Sequence, residues 1–72
     1  MKLIHIQTET AVYYFHQEAD GRVLFSQGIQ YAYRFLTSEA AHRMRESSRF
    51  FSALGQFDHA NVSIITAQGG AN

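Results

Sequence analysis

The sequence predicts an α+β fold, a small three- to four-stranded antiparallel sheet with a single helix packed on one face and inserted before the last strand. Three observations lead there. Short stretches rich in β-branched and aromatic residues recur at 3–6, 11–16, 22–26 and 62–66, a composition that suits a pleated, half-buried surface. An Asp20-Gly21 pair separates the second stretch from the third, and Asp-Gly between strands is a strong hairpin signal. Residues 40–54 contain neither Gly nor Pro and carry apolar residues at spacings of three and four, which is helical periodicity.

In chain order, 3–6 and 11–16 read as strands, and Thr8-Glu9-Thr10 between them reads equally as a polar turn or as a bend in one long strand. Glu18-Ala19-Asp20-Gly21 turns the chain, and 22–26 returns as the second arm of a hairpin. Gly28 interrupts that strand. Residues 29–35 then form a short edge strand or an irregular segment, in which Tyr31, Tyr33 and Phe35 share a side if the backbone is extended.

The helix starts near Thr37-Ser38-Glu39, where a hydroxyl can accept from a first-turn amide and Glu39 complements the dipole. Its buried stripe is Ala40, Ala41, Met44, Phe51 and Leu54, which leaves Arg45 and Arg49 outward. Gly55 ends it as a residue that tolerates a left-handed cap, and a loop over 56–61 leads to the closing strand. One domain is expected over 1–68, with a disordered tail at 69–72.

Apolar residues fall on both alternation phases of the strands, whereas a sheet with one wet face shows apolar residues on one phase only. One helix covers one face. The surplus therefore asks for a partner, either another protein or a second copy of the chain.

Composition narrows the class further. Six basic and six acidic residues cancel in a chain of 72, so no overall field recruits nucleic acid or an anionic membrane. There is no cysteine, which removes disulfides and thiolate metal sites and fits a reducing compartment. The N-terminus turns polar too early for a signal peptide, and no apolar run approaches the ~18 residues that a membrane span needs. Asn61-Val62-Ser63 is then a chance sequon rather than a glycosylation site.

Tyr13-Tyr14-Phe15, Asp20-Gly21-Arg22-Val23, Ala32-Tyr33-Arg34-Phe35, Thr37-Ser38-Glu39-Ala40-Ala41 and Val62-Ser63-Ile64-Ile65 together give a layout that resembles small orphan accessory proteins of bacteriophages and other mobile elements. Those proteins combine a short first strand, an aromatic hairpin, an Ala-x-x-Phe followed by a Thr/Ser-x-Glu-x-Ala helix, and a closing β-branched strand. The resemblance implies an accessory protein that acts by contact in the cytoplasm of a bacterial host cell. Inhibitors of host defence such as anti-CRISPR proteins are one prominent role in that group.

For contact, Tyr14, Tyr31, Tyr33 and Phe35 are the expected protein-interface anchors, with Arg34 as a charged rim contact, because aromatics and Arg dominate hot spots. His42, Arg45 and Arg49 fall at i, i+3 and i+7 and are the candidate nucleic-acid contacts. The same helix also pairs Glu39 with Arg43 and His42 with Glu46 at i, i+4, as ordinary solvated faces do. His5, His16, His42 and His59 reproduce no ligand spacing, so no metal or other cofactor is expected. The serines stand in no nucleophile-elbow context and the glycines form no phosphate loop. The expected function is a non-enzymatic protein-binding module that occludes its target. A small nucleic-acid-binding module and an accessory subunit of an enzyme are the alternatives.

Overall fold

A computed structural model describes residues 1–67, and the tail expected at 69–72 lies outside them. Four strands, β1 (Lys2–Gln7), β2 (Val12–Ala19), β3 (Arg22–Ser26) and β4 (Asn61–Thr66), form one antiparallel sheet in the order β3-β2-β1-β4. A 3₁₀ turn at Ile29–Tyr31 follows β3. Two helices, α1 (Ser38–Arg45) and α2 (Ser48–Leu54), precede β4. The α+β architecture and the insertion before the closing strand agree with the sequence reading; the single helix is corrected to two.

The hairpin between β2 and β3 turns through Asp20 (φ 55°) and Gly21 (φ 76°). Positive φ at both central residues is the type I′ geometry whose twist matches the flanking strands. The connection from β1 to β2 is a turn, and the side chain of Thr8 decides it. Its hydroxyl accepts from the Ala11 and Thr10 amides at 3.0 and 3.3 Å and donates to the Ala11 carbonyl at 2.9 Å. The Thr8 amide also donates to the Ala11 carbonyl at 2.9 Å.

Beyond His5 and Tyr14 the β1–β2 ladder opens, and the chain after the 3₁₀ turn enters the gap. Lys2 and Phe35 exchange both backbone bonds at 2.7 and 2.8 Å, while the Tyr33 amide donates to the Phe15 carbonyl at 2.9 Å. A bulge in β2 between Phe15 and Gln17 lies at the same place, where an extra residue lets a strand bend away from its neighbour.

The helical region breaks at Glu46-Ser47. Ser47 is extended (φ −72°, ψ 149°) and its hydroxyl accepts from the Phe50 amide at 3.1 Å, which makes it the N-cap of α2. Thr37 caps α1 in the same way through the Ala40 amide. The break resets the helical phase, so Phe50 is 1% exposed and Phe51 is 77% exposed. The expectation that Phe51 is a core residue is therefore corrected; Met44 and Leu54 remain half-buried against the core. Gly55 stays right-handed (φ −60°), so the left-handed cap expected there does not form, and the left-handed residue of the following loop is His59 (φ 55°).

One core lies between the helices and the sheet, built on Ile4, Ile6, Phe15, Val23, Phe35, Ala41 and Phe50. Phe15 and Phe25 both approach Phe50, with ring centroids 6.4 and 5.7 Å away. A second, smaller core occupies the opposite face, where Leu3, 1% exposed, packs with Ala32, Ala67, Tyr14 and Ile65. Ala32 belongs to the connection between β3 and α1. The chain thus covers part of its own second face, and the apolar surplus seen in the strands is met internally at that end.

Candidate interaction surface

The connection from β3 to α1 holds most of the expected interface residues. Its main chain is fixed along its length. The Tyr31 amide donates to the Gly28 carbonyl at 3.0 Å, the Ala32 amide to Ile29 at 3.1 Å, and the Ser26 hydroxyl to Gly28 at 3.2 Å. His16 Nδ1 lies 2.6 Å from the Tyr31 carbonyl oxygen. A carbonyl only accepts, so Nδ1 is the protonated nitrogen in this contact. Ala32 is then buried, Tyr33 bonds to Phe15, and Phe35 pairs with Lys2.

Fixed backbone and free side chains coincide here. Tyr31 is 60% exposed and Leu36 is 79% exposed, and Ile29, Tyr33 and Arg34 are exposed as well. Leu36 immediately precedes the N-cap, a position from which an apolar side chain often packs onto the first helical turn. Its exposure shows that it does not do so.

The five expected interface residues do not form one patch. Phe35 is buried in the main core. Tyr14 is half-buried on the face away from the helices, where its ring meets that of His5 edge-on with centroids 5.6 Å apart. Tyr33 rests against Phe15 and Phe35 at 5.7 and 4.7 Å, whereas Tyr31 stands edge-on to His16 at 6.5 Å. The 3₁₀ turn ends the shared side expected for an extended segment. Tyr31, Tyr33 and Arg34 remain available, joined by Ile29 and Leu36, which the sequence did not single out.

The basic stripe of His42, Arg45 and Arg49 is divided by the helix break. Arg45 lines a cleft of about 390 Å³ with Phe51, Leu54, Ala60 and the start of β4. Arg49 lines a separate cleft of about 730 Å³ between α2 and β3, and it forms an ion pair there with Glu18. His42 is exposed on α1. A carboxylate beside Arg49 lowers the positive potential that a phosphate would meet. Along α1, Arg43 approaches Glu39 at 3.9 Å, the exposed i, i+4 pair expected there.

Among the described residues no group of three or more His, Asp or Glu is placed to hold a metal ion, and no helix is long and apolar enough to cross a membrane. No protein-family model matches the chain, and no curated protein or solved structure matches it.

Proposed function

We propose that this chain is a non-enzymatic protein-binding module that docks a protein partner on residues 29–36, with Tyr31 and Tyr33 as anchors, Ile29 and Leu36 as flanking apolar contacts and Arg34 at the rim. The observation that carries the reading is the pairing of a pinned main chain with exposed large side chains. A segment already held in place loses little conformational entropy on binding, so its aromatic anchors contribute more of their burial to affinity. Tyr and Arg are also the residue types most enriched at hot spots.

The resemblance to mobile-element accessory proteins supports a bacterial host protein as the partner, with steric occlusion as the mode of action, as in host-defence inhibitors of the anti-CRISPR kind. An interface of ~800 Å² per side is typical of stable complexes. The segment and its surroundings would form the centre of such a footprint.

The test is a pull-down from host lysate with wild-type and Tyr31→Ala/Tyr33→Ala baits, followed by titration of the recovered partner. The double substitution is expected to lower affinity by about a hundredfold or more, since hot-spot truncations cost ~2 kcal/mol each. Tyr31→Ala alone should leave the melting temperature close to wild type. Equal affinity of the two baits for the same partner would sink the reading.

A further inference from the structure

The alternation of hydrogen bonds in β4 can be fixed residue by residue. The Ala67 amide donates to the Met1 carbonyl at 2.7 Å. In the register that pairs Leu3 with Ile65, His5 with Ser63 and Gln7 with Asn61, the odd-numbered residues of β4 therefore bond to β1, because antiparallel pairs alternate between bonded and non-bonded. The exchange of both bonds between Lys2 and Phe35 on the other side of β1 gives the same phase. Val62, Ile64 and Thr66 then direct their N–H and C=O groups away from the sheet. Among the described residues no other backbone group reaches them.

Edge strands that stay unpaired usually carry a charge, a proline or a bulge. Asn61-Val62-Ser63-Ile64-Ile65-Thr66 has none of these. The opposite edge, β3, carries Arg22.

We propose that β4 is the joint of a two-fold dimer, in which the β4 strands of two copies pair antiparallel with Ile64 opposite Ile64 and join two sheets into one. The outward residues are symmetric about Ile64, so Val62 falls opposite Thr66 of the second copy and every outward N–H and C=O meets a partner. A register centred on Ser63 leaves Thr66 facing Ala60, outside the strand. Residues opposite one another in the Ile64 register share a face of the sheet, which keeps Val62, Ile64 and Thr66 on the helix side in both copies. The occupant is a second copy because this strand complements itself. No charge within β4 meets its like across the axis, and a net charge of zero leaves no overall repulsion between copies. Exposed Phe51 flanks the joint beside Val62, where the helix layers of the two copies approach.

The absence of cysteine makes the register directly testable. Bonded antiparallel pairs have Cα atoms about 5.5 Å apart, within disulfide reach. Ser63 would lie more than about 7 Å from its symmetry mate, beyond that reach. Sedimentation of the full chain should show a mass that doubles through the micromolar range. Ile64→Cys should give a disulfide-linked dimer on mild oxidation, and Ser63→Cys should not. Thr66→Pro removes an outward N–H together with the hydroxyl that accepts from Lys2 Nζ at 2.8 Å, and Thr66→Lys adds an edge charge at an exposed site opposite Lys2; both should stay at the single-copy mass with an unaltered circular dichroism spectrum. Thr66→Val, which loses the same hydroxyl but keeps the N–H, should still dimerise. Tyr31→Ala and Tyr33→Ala should leave the mass unchanged, which separates this joint from the partner-binding segment. A single-copy mass at every concentration overturns the proposal, as does cross-linking through Ser63 in place of Ile64, a dimer that persists in both Thr66→Pro and Thr66→Lys, or a dimer lost with the tyrosines.

Discussion

On the helix side of the sheet Ile4, Ile6 and Phe15 lie beneath α1 and α2, and the layer is closed by the rings of Phe25, Phe35 and Phe50. On the other side Leu3 is just as inaccessible, yet its cover is only Ala32, Ala67 and two half-buried neighbours, Tyr14 and Ile65. The first face is covered by dedicated elements. The second uses a connection that has to run past the sheet in any case. Apolar residues on both strand phases are thus compatible with a chain that covers itself, and a partner is implied only by the side chains that remain exposed afterwards.

The largest effect that tests this contrast is Phe50→Ala, expected to cost ~3–5 kcal/mol because it empties the centre of the helix-side core. Phe51→Ala, one residue on, should stay within ~0.5 kcal/mol in dilute solution, as exposed substitutions do. Urea midpoints of the two variants test the reset of helical phase, and the reverse order would restore one continuous helix.

Leu3→Ala measures the second face. At 1% exposure its truncation is expected to cost about 3 kcal/mol, within the range for core leucine truncations. If the urea midpoint barely moves, the cover provided by Ala32 and Ala67 is too loose to count as a core.

Ser47→Ala should cost ~1 kcal/mol, the usual worth of an N-cap hydroxyl, read from the shift in melting temperature. The smallest effect belongs to Arg49→Ala. Its pairing with Glu18 is partly exposed on both sides, and such pairs contribute between ~0 and ~1 kcal/mol. Added salt should narrow the difference from wild type, since it screens exposed pairs.

Those elements also show where the sequence was legible. Asp20-Gly21 is a local signal, and the β2–β3 hairpin formed where it pointed. The order of elements and the insertion of the helical region before β4 were readable for the same reason. Thr8-Glu9-Thr10 was undecidable because the turn depends on which backbone groups the Thr8 hydroxyl reaches. The helix break did have a trace, Ser47-Ser48 three residues ahead of a pair of phenylalanines, since serine competes with the helix for backbone bonds and favours caps. Phe51 falls seven residues, about two helical turns, after Met44, so the stripe still read as one helix and concealed the break. The surface at 29–36 was legible only in part: Tyr31, Tyr33 and Arg34 stood out by residue type, but the burial of Phe35 follows from its bonds to Lys2, a contact that no local pattern encodes.

β1 is the first strand in the chain but lies inside the sheet, with β2 on one side and β4 on the other. On a ribosome, β1, β2 and β3 can pair as soon as they emerge, whereas the β4 side of β1 stays open until residues up to Thr66 have left the exit tunnel. Contacts between distant parts of a chain also form slowly, because a long loop must close first. For that interval the backbone of Leu3 and His5, which bonds to β4 in the finished sheet, is an unpaired template beside apolar side chains. Until β4 has left the tunnel and closed on β1, that strand carries an open edge against which another segment can mispair.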